Sequence, residues 1–185
     1  LIVGDGPSKQ ESEHGRAFAD KRGRLLIEAL EEVGIPIGDD GEVFATYAVK
    51  CCPSGKIKLK DAKTCADTYL QKEIELLRPE LVITLGKVAQ YCVLGSNTPI
   101  SKTHGKMFTL TRTDAVGNEW TTKVMPVEHP FSILSTPAKM DPWLADLRRA
   151  KVTFYSQGDP YWNPSKLDRF DFRIIGSIRQ FKEVA

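Results

Sequence analysis

The sequence predicts an α/β fold: a three-layer α/β/α arrangement with a central, mostly parallel sheet. Two observations carry this. Short apolar runs alternate with segments of helical period from residue 1 to residue 152, the pattern of a parallel sheet covered on both faces. The early runs end in glycine, proline or polar residues, so turns gather at their carboxyl ends, where open α/β sheets place their ligand crevice. A chain of 185 residues with 41% hydrophobic and 27% charged content has the length and composition of one ordinary globular domain with room for a tail.

Leu1, Ile2 and Val3 read as a buried strand, turned aside by Gly4, Asp5, Gly6 and Pro7. Arg22 to Val33 reads as an amphipathic helix: Leu25, Leu26, Ala29, Leu30 and Val33 recur at helical spacing, and Gly34 stops it. Its apolar stripe is core. Ile35 to Glu42, with Pro36, Gly38 and Gly41, reads as loop. Val43 to Val49 is the next buried strand and runs into a basic loop from Lys50 to Lys60. Thr64 to Leu77 reads as one helix, ended by Pro79. Leu81 to Thr84 is a strand that Leu85 and Gly86 turn into a helix reaching about Leu94. Asn97 to Lys106 reads as a polar loop holding His104 and Gly105. Met107 to Thr111 and Thr121 to Val127 read as strands of a hairpin or edge pair, with Gly117-Asn118 as the turn signal. Lys139 to Val152 is a helix with Asp141 capping and Pro142 in its first turn. Residues 1–155 thus form one domain and 156–171 a polar linker. Residues 172–185 open a further domain, with a strand at Phe172 to Ile175 and a helix from Ile178 capped by Ser177.

A net charge of +2 gives the whole molecule no strong field, so any nucleic-acid argument rests on local clustering. No apolar run approaches membrane length and no signal-peptide pattern is present. Adjacent Cys51 and Cys52, with Cys65 and Cys92, do not form a secreted disulfide framework; a reduced, cytoplasmic setting fits them. Leu1 is a strand residue and Ala185 falls in a helical pattern, so the sequence reads as a piece of a longer polypeptide.

Three strand ends converge on one rim: Gly4 to Phe18, Tyr47 to Gly55, and Glu128 to Leu134. The tight turn of Gly4, Gly6 and Pro7 lets backbone N–H groups approach a ligand, a carboxylate at Asp5 or Glu11 can orient water, and Phe18 can stack on a flat base. The bland alternatives are a turn residue for Asp5 and a helix-start carboxylate for Glu11. Lys50, Lys56 and Lys58, separated by small residues, suit phosphate contacts; read alone they are a solvated loop. Gly86 and Lys87 sit where a strand meets a helix N-terminus, a place for phosphate. His14 and His104 read as surface or structural histidines, and Cys92 as helix core.

These motifs resemble the family 4 uracil-DNA glycosylases. The first family motif is roughly G-E-x-P-G-x-x-E-D-x-x-G-x-P-F, and Gly4, Pro7, Glu11, Gly15 and Phe18 fall in register, with Asp5 in place of Glu and Ser8 in place of Gly. Gly23, Leu25 and Leu26 match the following G-x-L-L. Tyr47 to Gly55 matches N-V-V-K-C-R-P-P-G, then Cys65, Tyr69 and Leu70, then Leu85, Gly86 and Ala89, then His129 and Pro130. The resemblance implies flipping of uracil out of DNA and cleavage of its N-glycosidic bond. It assigns Phe18 to stacking, Glu11 and Asp5 to water, and His129 to the charge developing on the uracil oxygen. Ile133 and Leu134, after Pro130, become the wedge into the base stack. It also implies a [4Fe–4S] cluster on four cysteines, of which Cys51 and Cys65 match the middle pair; the N-terminal pair is absent from this sequence. Residues 172–185 resemble the opening of a 3′–5′ exonuclease domain of family A DNA polymerases, and SPO1-like phage polymerases carry a glycosylase-like domain at their N-terminus.

Two departures bear on function. Tyr47 stands where the family reads uracil with Asn; an amide offers a donor and an acceptor side by side, a phenol one hydroxyl, and the larger ring can fill the pocket. Ser135 stands where the family commonly has Arg. The first expectation is a glycosylase-like DNA-binding domain of a phage-type polymerase, acting in the bacterial host's cytoplasm and recognising or excising uracil. The alternative keeps the fold without the chemistry, as a uracil-sensing or DNA-tethering module. A nucleotide-binding α/β enzyme is disfavoured, because no G-x-G-x-x-G or G-x-x-x-x-G-K-[ST] follows the first strand.

Overall fold

Successive side chains of a strand point to opposite faces of its sheet, and here that alternation sorts the core into two halves. The computed structural model describes residues 1–35, 43–114, 116–155 and 172–174. Ile2, Ile83 and Met125 face one way and pack with Leu26, Leu30, Trp143 and Leu147. Their neighbours Val3, Val82 and Val124 face the other way and pack with Ala62, Ala66, Leu70 and Ile74. Neither half is exposed, so the strands read as unbroken apolar runs.

The strands are β1 (Ile2–Gly4), β2 (Val43–Tyr47), β3 (Leu81–Leu85), β4 (Phe108–Thr113), β5 (Glu119–Val127) and β6 (Phe172–Ile174). They lie in the order β4-β5-β3-β1-β2-β6. Every pairing is parallel except the β4–β5 hairpin. The chain steps from β1 to β2 on one side and then crosses to β3 on the other, so β1 marks the point where strand order reverses. Ligands of open α/β sheets bind outside the carboxyl ends at such a point.

The helices are α1 (Lys9–His14), α2 (Lys21–Glu32), α3 (Leu59–Thr68), α4 (Leu70–Leu77), α5 (Lys87–Leu94), α6 (Ile100–Thr103), α7 (Pro130–Ser135) and α8 (Met140–Tyr155). Helices α2, α7 and α8 supply one half of the core, α3, α4 and α5 the other. Fully buried Leu26 and Leu30 tie α2 to the sheet, each contributing about 1.5–3 kcal/mol of apolar burial.

Several elements differ from the sequence-based expectation. The single helix expected over Thr64 to Leu77 starts earlier, at Leu59, and breaks at Tyr69, whose φ −121° and ψ −59° are not helical. The loop expected from Asn97 contains the short α6, and residues after His129 form α7, which was not expected. Asp141 does not cap α8: a 3₁₀ turn at Pro137–Lys139 leads into it, leaving Asp141 in the first turn. The strand expected at Phe172 is present and pairs in parallel with β2. Most of the loop at 35–42, the linker and the helix from Ile178 lie outside the described residues.

Candidate active-site cleft

The site is assembled where β1, β3 and β5 end. Ala48 N–H donates to Gly4 O (2.8 Å) and Val49 N–H to Asp5 O (3.1 Å), fixing the turn after β1 against the chain leaving β2. Gly86 lies at the carboxyl end of β3 with φ +94°; a Cβ there would stand 3.0 Å from the Asp5 carboxylate and 3.1 Å from His129 Cβ, so only glycine lets these two approach. Asp5 Oδ1 accepts from Ala89 N–H (2.8 Å) in the first turn of α5. Burial pushes the Asp5 carboxyl up to about 6, against the pull of the Ala89 and Val88 N–H groups and the Arg22 charge. His129 caps α7, its Nδ1 accepting from Phe131 N–H (3.1 Å), which leaves the proton on Nε2. Burial, assisted by the Arg22 charge, pushes this imidazole down to about 4. At neutral pH the cleft therefore holds a neutral histidine donor.

Phe18, Tyr47 and Glu11 form a second, closed group. Phe18 is buried, with φ +54°, a backbone conformation that L residues rarely adopt and that marks strain at functional sites. The Tyr47 ring lies 4.9 Å from the Phe18 ring, tilted by 34°. It rests over Gly4, where a Cβ would be 2.8 Å from the ring. The Tyr47 hydroxyl accepts from Phe18 N–H (2.9 Å) and donates to Glu11 Oε1 (2.7 Å). Burial, reinforced by the Glu11 charge, holds this phenol well above its ordinary range. The other Glu11 oxygen accepts from Ser8 N–H (2.7 Å), completing a capping box on α1. Both oxygens of Glu11 are thus engaged, and the face Phe18 would offer a base is covered by Tyr47.

Between the two groups an open cleft of about 550 Å³ is lined by Asp5, Ser8, Arg22, Cys52, His129 and Phe131 among others. Gly6 and Pro7 also line it. Arg22 is the cation that the sequence reading missed. Its guanidinium pairs with Asp20 (2.5 Å) and stands 3.5 Å from Glu11. An arginine in the first turn of a helix opposes the helix dipole; that local inconsistency is the signal which could have flagged it. Pro130 is buried. Ile133 is only 1% exposed and packs in the core, so it cannot enter DNA as expected; Leu134 is partly buried, and Phe131, on the cleft rim, is 61% exposed.

The basic loop divides. Lys50 Nζ turns inward to Glu73 Oε2 and Thr46 Oγ1, both at 2.6 Å, beneath the sheet, where burial lowers its pKa. It is not placed to meet phosphate, contrary to expectation. Lys56, Lys58, Lys60 and Lys87 are exposed. His104 is held by Asp146 on α8 (2.6 Å), a structural pairing.

A [4Fe–4S] cluster takes four cysteine thiolates. Lys50 N–H donates to Cys65 Sγ (3.4 Å), which brings Cys65 beside the segment carrying Cys51. Cys51 and Cys52 are exposed and Cys92 is buried. Among the described residues no group of three or more His, Cys, Asp or Glu side chains is arranged to hold a metal ion. The cysteines present supply a pair and do not make the set a cluster needs.

The sequence model of the uracil DNA glycosylase superfamily matches residues 1–152. A type-4 uracil-DNA glycosylase of Thermotoga maritima is 31% identical over 136 residues, covering 72% of this chain and 65% of that protein. One of Archaeoglobus fulgidus is 27% identical over 157 residues, covering 80% of this chain and 73% of that protein. A DNA polymerase of Bacillus phage SP01 is 29% identical over 148 residues, 80% of this chain but 15% of the polymerase. The match thus spans just under two thirds of the Thermotoga relative.

Proposed function

Since the chain belongs to the uracil DNA glycosylase superfamily, we propose that it is a DNA-binding, glycosylase-like domain of a phage-type polymerase whose base pocket is shut by its own Tyr47. The observation that carries this is the Tyr47 side chain, packed on Phe18 and hydrogen-bonded to Phe18 N–H and Glu11. A flat ring with an oxygen on its edge already occupies the place of a stacked base. Residues 1–155 are the glycosylase-like unit, 156–171 a linker and 172–185 the start of an exonuclease or polymerase domain, in the cytoplasm of a bacterial host.

The parts for chemistry remain beside the shut pocket. Asp5 can orient a water, and the neutral His129 Nε2–H can donate to an oxygen gaining negative charge without first losing a proton. Phe131, in place of Ile133, is the residue able to enter the base stack. The exposed Lys56, Lys58 and Lys87 supply backbone contacts. The cysteine pair leaves an iron–sulfur cluster without a complete ligand set here, and no step depends on one.

The test is uracil excision from single- and double-stranded DNA. Wild type is expected to show little or none, Tyr47→Asn to regain part of the activity, and His129→Ala in that background to remove it. Robust wild-type excision would overturn the shut-pocket reading.

A further inference from the structure

We infer that the cleft accepts an abasic deoxyribose phosphate of DNA in preference to a nucleotide that still carries its base. This rests on the DNA-binding reading and goes beyond it by naming the ligand class.

Three observations converge. On the base side there is no room: Tyr47 lies 4.9 Å from Phe18 and rests over Gly4, and its hydroxyl is bonded on both sides. Admitting a base means breaking both hydrogen bonds and exposing the ring. On the sugar-phosphate side there is room. The cleft of about 550 Å³ ends at a wall made by Ser8 and Arg22, which touch the same Glu11 carboxylate that holds Tyr47. Its lining is rich in donors suited to a phosphate and a sugar hydroxyl: the Arg22 guanidinium, the Lys9 ammonium, the Ser8 and Ser132 hydroxyls and His129 Nε2–H, with Asp5 the acidic member. On the rim, Phe131 is 61% exposed and can fill the gap that a missing base leaves in the stack. Extrusion costs least where no base pair has to be broken, so an abasic nucleotide enters this cleft at low cost and meets no clash at Tyr47.

The test is an anisotropy titration of the full chain against duplexes of one sequence at one salt concentration. The central nucleotide is a tetrahydrofuran abasic analogue, a deoxyuridine, a thymidine, or a propyl spacer without the sugar. The tetrahydrofuran duplex is expected to bind at least tenfold tighter than the other three. Tyr47→Phe, which keeps the ring, should keep that preference. Tyr47→Asn should bring the tetrahydrofuran-to-uracil ratio towards one. Arg22→Gln should weaken the abasic complex more than the intact one. Equal affinities for all four duplexes, a uracil preference in the wild type, or a propyl spacer bound as tightly as tetrahydrofuran would each overturn the inference and leave DNA binding intact. Absence of binding to every duplex at low salt would overturn the DNA-binding reading itself.

Discussion

Replacing a carboxamide by a phenol changes what Phe18 faces. The Tyr47 hydroxyl satisfies both the Phe18 N–H and one oxygen of Glu11, so Tyr47→Phe leaves a donor and a carboxylate oxygen without that partner. Such a loss costs about 1–3 kcal/mol; urea denaturation should show it, and an unchanged midpoint would mean water takes the hydroxyl's place. Asp5 and His129 make a second prediction, because their shifts oppose each other. The Asp5 carboxyl is raised from 3.8 to about 6, so between those values the folded state binds more protons than the unfolded one and stability falls as pH rises. His129 is lowered from 6.5 to about 4, so across that window the unfolded state binds more protons and stability rises with pH. In the wild type the two largely cancel. Asp5→Asn removes the first, so relative to wild type it should gain stability from pH 4 to pH 7, by roughly 1–3 kcal/mol at about 1.4 kcal/mol per decade. His129→Gln should lose relative stability over the same range. Denaturant midpoints at pH 4.5 and 7 check both signs. Asp5, Glu11, Phe18 and His129 were legible in the sequence because motif register names them. Their partition into an open and a closed group was not, because it depends on which way the Tyr47 ring turns, and spacing does not carry that.

Elements with long periodicity or clear punctuation were legible: α2 through its leucine spacing, β3 through its apolar run, α5 through the glycine that opens it. Those missed have physical reasons. Helix α7 is six residues long and starts at a His-Pro pair, too short to show a period; its cap is a histidine ring, not a usual capping residue. The break between α3 and α4 falls at Tyr69 with no glycine or proline to announce it. On α7 the two apolar neighbours behave oppositely. Ile133→Ala opens a cavity in the core and should cost about 2–5 kcal/mol. Phe131→Ala should leave stability within about 0.5 kcal/mol while weakening DNA binding. Thermal melts paired with a binding titration separate them, and the reverse pattern would return the wedge to Ile133. At the other side of the cleft, Ser8→Ala removes a capping-box hydroxyl from α1 at about 1 kcal/mol.

At the scale of the molecule, the parallel order of β5, β3, β1 and β2 carries Asp5, Tyr47, Gly86 and His129 to one edge of the sheet. That convergence follows from topology and was legible as soon as strands and helices alternated. The charge pattern was less so, because a lysine in a basic loop reads the same whether it faces water or the core. Lys50 lies inward against Glu73, whereas Lys56, Lys58 and Lys60 are exposed on the stretch leading from the cleft into α3. Phosphate contacts release counterions, so each one lost flattens the dependence of log affinity on log salt by about 0.9 on duplex DNA. Replacing Lys56, Lys58 and Lys60 together by Ala should therefore reduce that slope by roughly 2–3, weaken binding to all sequences alike, and leave the melting temperature unchanged. Lys50→Ala should do the opposite. It strands Glu73 in the interior and costs about 3–5 kcal/mol, while the salt slope measured on the folded fraction stays as it was. A triple variant with the wild-type slope would remove this loop from the DNA track and leave Lys87, at the start of α5, as the exposed lysine to test next.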